Sequence, residues 1–345
     1  MRVLSVAARL PGAPVLLPLA AGAVVGTWRP AGGGMGPFTG AVTGGAYAYI
    51  TILLICVGAQ ITPASLRPVA GRVGIILTGA TVVTGAAVLA YGVAAGPDGI
   101  AHVSPLAVAA VAVSTSPAMW LAIARRHGTA PDGWAGSVAS TLNSAPVVPI
   151  LLLLAISHHT GTVAWRSVLD ATLPLAIGAA AGHLAPGCRT MLRAPIPVLV
   201  VLVAFSLGCR LDLHFIARQT PTGLVLGVVA GLVSGGLVVT GWRLFLHQPG
   251  TVGWAATACT ITAPLLPAIA ATTDPTWTPY VPAATAQAGV ALIVTTLAAP
   301  ALTAFSARHH ARRQHHLDPG GAGSAAQPVT ERARLATLTA VDQSP

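Results

Sequence analysis

Val113–Gly128 reads VSTSPAMWLAIARRHG and, after a short polar turn, Trp134–Ile150 reads WAGSVASTLNSAPVVPI. The first stretch predicts a membrane helix interrupted at Ser114, Thr115, Ser116 and Pro117 and ending in a basic hairpin. The second predicts a helix carrying Asn143, Ser144 and Pro146. Pro117 has no backbone N–H to donate, so a carbonyl one turn upstream loses its partner. Inside hydrocarbon such groups persist only where protein or a water-lined cavity satisfies them, and the break therefore predicts a polar pocket beside it.

The same arrangement returns near the end of the chain. Ala258–Asp274 reads ACTITAPLLPAIAATTD and Pro279–Pro300 reads PYVPAATAQAGVALIVTTLAAP, so Thr262, Ala263 and Pro264 echo Thr115, Ser116 and Pro117, while Gln287 falls near the place of Asn143. A further pair precedes both: ICVGAQITPASL at Ile55–Leu66 resembles FSLGCRLDLHFI at Phe205–Ile216. Gly58 and Gly208 are 150 residues apart, Pro117 and Pro264 are 147 apart, and Asn143 and Gln287 are 144 apart. Landmarks in one order at nearly one offset indicate a duplicated unit.

Composition sets the class. Of 345 residues, 54% are hydrophobic and 8% charged, with mean hydropathy +0.76; soluble domains carry about a quarter charged residues. The 38 glycines and 28 prolines suit membrane helices, where small residues permit close backbone approach. Apolar runs of about 20 residues argue for helices rather than an alternating barrel pattern. Ten spans follow: 11–28, 40–60, 72–95, 104–124, 134–157, 167–184, 194–210, 221–244, 251–271 and 280–305. Five spans per half is an odd number, so the second copy must insert upside down relative to the first. The expected fold is an all-α polytopic membrane protein of ten helices, two inverted five-helix repeats with two broken helices. Residues 1–160 form the first repeat, 161–305 the second, and 306–345 a disordered cytoplasmic tail.

The arginines test this topology. The chain has no lysine, and alternating the spans puts fourteen of its eighteen basic residues on one side, leaving Arg29, Arg166, Arg210 and Arg218 on the other. The positive-inside rule then makes both termini cytoplasmic. Orientation and lipid headgroups account for the net charge of +10, so no nucleic-acid partner is required. A competing reading takes Arg2, Arg9 and the apolar run from Pro14 to Val25 as a secretory signal, which would leave nine spans.

Acids are few: Asp98, Asp132, Asp170, Asp212, Asp274, Asp318, Glu331 and Asp342. None falls in mid-span and no HExxH occurs, which argues against catalysis. No cofactor or bound metal is expected: the cysteines at 56, 188, 209 and 259 lack ligand spacing, and the histidine pairs at 309–310 and 315–316, which could bind a metal if ordered, read in preference as solvated neighbours of a basic patch. Gly223, Gly227, Gly231 and Gly235 form a stripe suited to close packing, static or sliding. Hydroxyls and amides remain at depth. Ser114, Thr115, Ser116, Asn143, Ser144, Thr260, Thr262 and Gln287 are the candidate substrate-binding set, with Thr285 nearby; with the free helix ends they suit a polyhydroxylated or carboxylate-bearing solute. Each serine or threonine has the alternative of bonding its own helix. Arg210 and Asp212 read either as a local ion pair or as an attractor of anions.

RLPGAPVLLPLAAGAVVGTW at Arg9–Trp28, CVGAQITPASL at Cys56–Leu66, HGTAPDGWAGSVASTLNSAP at His127–Pro146, FSLGCRLDL at Phe205–Leu213 and VPAATAQAGVALIVTTLAAPALTAF at Val281–Phe305 together resemble the 2-keto-3-deoxygluconate permease family, in order, over nearly all of residues 9–307. The resemblance implies proton-coupled import of 2-keto-3-deoxygluconate, a sugar-acid anion, and kinship with the bile-acid/sodium symporter type of fold, with ten helices, inverted five-helix repeats and two crossed, broken helices. Its pattern has an acid near the position of Val113, a Glu at that of Asn143 and an Asn-Gly-Gly run at Ser116, Pro117 and Ala118; here all three differ. A proton symporter needs a titratable group reachable from both sides. A sodium-coupled or facilitative carrier of another small organic anion is therefore one alternative, and a non-transporting membrane scaffold or receptor is another. The expected partners are a small anionic sugar acid, a coupling proton in preference to sodium, and membrane lipid.

Overall fold

A computed structural model of the chain describes residues 13–28, 36–61, 67–144, 147–157, 162–211 and 213–317. They are almost wholly helical, with an isolated bridge between Ile100 and Val103. Helix is what continuous apolar runs favour in hydrocarbon, since each segment then satisfies its own backbone.

Helix α1 is Ala13–Thr27, and α2 (Pro37–Gly44) meets α3 (Ala46–Gly58) at a 59° bend. The next span joins a 3₁₀ turn (Arg67–Val69), α4 (Ala70–Leu77), a π-helical stretch (Thr78–Val83) and α5 (Thr84–Ala95). Helices α6 (Pro105–Ala112) and α7 (Pro117–His127) flank a break and differ in direction by 41°. Then come α8 (Ala130–Ser144), α9 (Val147–Ile156) and α10 (Thr162–Leu184). Helix α11 (Pro186–Arg193) bends by 45° into α12 (Ile196–Gly208), and α13 runs from Leu213 to Phe245. A second interrupted segment follows: a 3₁₀ helix at Thr251–Thr257, a non-helical turn, a 3₁₀ turn at Ala263–Leu265 and α14 (Leu266–Thr273). A 3₁₀ turn at Pro275–Tyr280 leads into α15, Val281–Leu317. Arg67–Ala95, Ile216–Phe245 and Pro275–His310 are each long and apolar enough to cross a membrane unaided.

Three features depart from the sequence reading. The bend at Gly45 divides a span expected to be continuous, and the bend between Arg193 and Ile196 adds a short helix, α11, ahead of the span expected from 194. Helix α13 begins at Leu213, with Pro221 inside it; Thr220 and Thr222 hydroxyls flank that proline and donate to the Ile216 and Gln219 carbonyls, the kind of support that makes membrane prolines tolerable. Residues 306–317, expected in a disordered tail, continue α15, whose alanine and arginine are strong helix formers there. Residues 318–345 lie outside the described residues. Chain contacts separate residues 1–303 from 304–345.

Glycines bring two helix pairs into backbone contact. A Cβ on Gly22 of α1 would collide with the Phe205 carbonyl of α12 and one on Gly26 with Cys209, one turn further along both helices, so α1 and α12 run parallel. A Cβ on Gly178 of α10 would meet the Ile55 carbonyl and one on Gly182 the Ala59 carbonyl, making α10 and α3 a second parallel pair. The match continues from the partner side: Gly208 abuts Leu19 and Ala23, whereas Gly58 abuts Leu175 and Ala179. The two pairs are antiparallel to each other, because Ser206, near the end of α12, donates to the Thr43 carbonyl before α3 begins, and Gln60, after α3, donates to the Arg189 carbonyl before α12 begins. The glycine stripe of α13 is likewise packing: Gly223 and Gly227 seat against Val290 and Ala291, Gly231 and Gly235 against Thr257.

Overpacking a tight contact costs about 1–3 kcal/mol or more. Gly22→Val and Gly178→Val should therefore each lower the thermal unfolding midpoint of detergent-purified protein, whereas Gly74→Ala, with open space beside it, should leave it level or slightly higher. Equal effects from all three would show that these seams do not hold the helices together.

Candidate functional site

Residues 113–116 are non-helical and the break is held shut from several sides. Ser114 Oγ donates to the Ala110 carbonyl at 2.8 Å. Ser234 Oγ of α13 reaches across to the Ala112 carbonyl at 3.0 Å. Thr115 Oγ1 donates to Ser140 Oγ of α8 at 2.9 Å. These hydroxyls supply donors where the interrupted helix cannot.

The second break touches the first. Ser116 N donates to the Ala258 carbonyl at 2.9 Å, so the two interrupted segments meet backbone to backbone. Beyond that point Cys259 N donates to Thr295 Oγ1 of α15, and Thr262 Oγ1 donates to Thr260 Oγ1. The Thr260 and Thr262 carbonyls accept from Ala263 N and Leu265 N, turning the chain into its next helical half. The crossing thus gathers Ser114, Thr115, Ser116, Thr260 and Thr262, five of the eight expected site residues. Most of their hydroxyls close the breaks, while Ser116 and Thr262 are half-buried.

The two amides behave differently. Asn143 lies one turn beyond Ser140 on α8, is 3% exposed, and has neither side-chain N nor side-chain O hydrogen-bonded. Burying an amide unpaired costs about 1–3 kcal/mol or more, so Asn143 is a polar group held in reserve near the crossing. Gln287, 1% exposed, is largely committed: its Nε2 donates to the His102 carbonyl at 2.8 Å and to Gln219 Oε1 at 3.0 Å, with Thr222 Oγ1 at 3.3 Å. None of these partners belongs to a break. They pin a loop in which Ala101 and His102 both have positive φ, an uncommon conformation for residues other than glycine. The Ser144 side chain and Pro146 lie outside the described residues.

A cavity of about 470 Å³ adjoins the second break, walled by Leu207 and Leu211 at the end of α12, by Pro264 and Leu265 immediately after Thr262, and by Thr285 of α15. Arg210 is the charged residue among its described walls. Its Nη2 donates to the Gly44 carbonyl at 3.2 Å and its guanidinium sits 4.9 Å from the Tyr47 ring centroid. Asp212, the expected ion-pair partner, lies outside the described residues. The ion pair that is described joins Arg72 Nε and Asp132 Oδ1, 2.8 Å apart, between α4 and the start of α8. Among the described residues no three histidine, cysteine or acidic side chains cluster as a metal site. Ser140, Ser234 and Thr295 were absent from the expected set; Ser140 alone had a local signal, three residues before Asn143 on the same helical face.

Residues 4–312 match the sequence model of a family described as KdgT, 2-keto-3-deoxygluconate permease. The chain is 33% identical over 318 residues to the 2-keto-3-deoxygluconate permease of Xanthomonas axonopodis pv. citri (strain 306), covering 89% of this chain and 98% of that protein. It is 31% identical over 321 residues to the one from Xanthomonas oryzae pv. oryzae (strain MAFF 311018), at 91% and 99% coverage. It is 30% identical over 313 residues to the one from Escherichia coli (strain K12 / DH10B), at 87% and 93%.

The amides should separate in a stability measurement. Asn143→Leu removes a buried unpaired group and should leave the unfolding midpoint unchanged or raise it, whereas Gln287→Leu strips the donor from the His102 carbonyl and Gln219 and should cost about 1–3 kcal/mol. If Asn143→Leu destabilises as much as Gln287→Leu, then Asn143 has a structural partner and is not in reserve.

Proposed function

The chain belongs to the 2-keto-3-deoxygluconate permease family, and from that membership we propose that it imports 2-keto-3-deoxygluconate or a closely related sugar acid through the cell membrane by proton symport. Membership makes it a transporter and not an enzyme. The observation that carries the proposal for the site is the crossing itself: two interrupted helices meet at Ser116 N and the Ala258 carbonyl, with the unpaired amide of Asn143 nearby on α8. Discontinuous helices in transporters place helix ends and free backbone groups where a solute can use them.

The proposed architecture is ten membrane spans in two inverted repeats, residues 1–160 and 161–305, with both termini and the residues after Leu317 in the cytoplasm. Two parallel helix pairs set antiparallel to each other, with matching glycine contacts, support it. The arginine distribution supports the orientation. In this reading Ser114, Thr115, Ser116, Asn143, Ser144, Thr260 and Thr262 surround the solute. Gln287 contributes through its buried Oε1, which has no hydrogen bond, and by holding the 99–103 loop. Transport then consists of the repeats rocking around a fixed site, with solute binding shifting the balance between the two states.

One observation favours a second reading, a facilitator without proton coupling. Asp132 and Asp274 are the buried carboxylates among the described residues; Asp132, in the first turn of α8, is held by Thr129 and Arg72, and Asp274 caps the 3₁₀ turn at Pro275–Tyr280 and is held by Thr276. Neither is at the crossing.

Proteoliposomes holding the purified protein decide between these readings. Labelled 2-keto-3-deoxygluconate should accumulate when an inward proton gradient is imposed; equilibration indifferent to the gradient would leave the facilitator, and no uptake would overturn the substrate. Asn143→Leu should cut uptake tenfold or more at equal protein incorporation, and wild-type uptake by that variant would remove Asn143 from the site.

A further inference from the structure

The helix pairs allow Arg210 to be compared with its counterpart. Gln60 follows Gly58 by two residues just as Arg210 follows Gly208, and each side chain ties the end of its helix to the start of an antiparallel neighbour. Gln60 Nε2 donates to the Arg189 carbonyl at 3.0 Å, and Arg210 Nη2 donates to the Gly44 carbonyl at 3.2 Å. A neutral amide performs this tether at one end of the molecule. The tether alone therefore gives no reason for a charge at the other end.

The surroundings of Arg210 supply one. Arg210, itself exposed, lines the 470 Å³ cavity otherwise walled by apolar and hydroxyl side chains, and no carboxylate among the described residues lies within ion-pair distance of it. The Tyr47 ring and the Gly44 carbonyl hold it in place. Among the described residues these two contacts leave most of the five N–H donors of Arg210 without a partner, and a planar guanidinium fork matches a carboxylate in two parallel hydrogen bonds. The cavity falls within the range of small-molecule sites, and its wall at Pro264 and Leu265 leads straight to Thr262 and the crossing.

We propose that Arg210 binds the substrate carboxylate, in a chamber through which the solute reaches the crossing, and that Tyr47 is the residue that positions it. The proposal rests on the reading of the protein as a sugar-acid carrier. It adds a specificity-determining residue outside the set at the breaks. The carboxylate docks on the guanidinium while the hydroxylated tail extends toward Thr285 and the second break, so selection for an acid over a neutral sugar happens before the solute reaches the midplane.

The test compares two ligands of the same carbon skeleton, 2-keto-3-deoxygluconate and the uncharged 3-deoxyglucosone, which has an aldehyde in place of the carboxylate. Binding is read as ligand-induced thermal stabilisation of purified protein. Wild type should prefer the acid, and Arg210→Gln, which keeps an amide able to make the tether seen at Gln60, should weaken the acid about tenfold or more and erase the preference while leaving the ligand-free midpoint near wild type. Arg210→Lys should retain part of the preference, and serves as the test should the glutamine variant fail to fold. Tyr47→Phe should behave as wild type and Tyr47→Ala as a weaker form of Arg210→Gln. Retention of the full preference by the arginine variants, or equal loss of both ligands, would overturn the assignment. If wild type ignores 2-keto-3-deoxygluconate but another small carboxylate such as gluconate stabilises it in an Arg210-dependent way, the substrate reading falls and the role of Arg210 stands. If no carboxylate stabilises wild type, the role of Arg210 falls as well.

Discussion

A backbone group freed inside an apolar phase has to find its partner within the protein, because nothing outside will supply one. The two interrupted segments place that demand at the centre of the chain, and hydroxyls meet it. Ser114 bonds back onto its own helix, Ser234 reaches in from α13, Thr295 from α15, and the first break lends an N–H to the second. Helices α13 and α15 must consequently lie beside the breaks. The glycine face of α13 is what brings it near enough, with Gly231 and Gly235 against Thr257 of the second interrupted segment.

Close approach governs the remaining helices too. In lipid there is little hydrophobic drive for one apolar helix to seek another, so contacts depend on fit. Where α1 meets α12 and α3 meets α10, glycine removes the side chain and the backbones touch. The contact residues correspond one to one between the two pairs. Glycine at one seam is thus mirrored by glycine at the other for the same steric reason.

The breaks are legible in one dimension because proline marks them: Pro117 and Pro264 follow small polar residues in runs otherwise fit to continue as helix. Gly58 and Gly208 are legible as a repeated motif for the same reason, a residue type with a single steric purpose. Apart from Ser140, the partners that close the breaks are not legible. Ser234 and Thr295 lie on distant helices, and nothing in their local sequence separates them from hydroxyls that bond their own helix, as Thr303 does. Gln287 shows the converse. Its offset from Asn143 marks it as a twin, yet the loop around His102, with its two residues at positive φ, takes its amide. The bend at Gly45 is likewise set by tertiary contact, with the end of α12 drawn onto the Thr43 and Gly44 carbonyls.

What the scaffold consumes also shows what it leaves for the solute. Matching helix pairs built from equivalent contacts give no intrinsic preference for one solute, since equivalent positions perform equivalent structural tasks. Selectivity has to lie where equivalent positions differ. Two such places stand out: Asn143 is buried and unpaired while Gln287 holds a loop, and Arg210 carries a charge into a cavity while Gln60 supplies the same tether without one. Among the described residues both departures leave a polar group with unused hydrogen-bonding capacity, one near the crossing and one lining the cavity beside the second break. In the proposed carrier an anion with hydroxyl groups uses both in sequence, its charge meeting the guanidinium first and its hydroxyls the amide after.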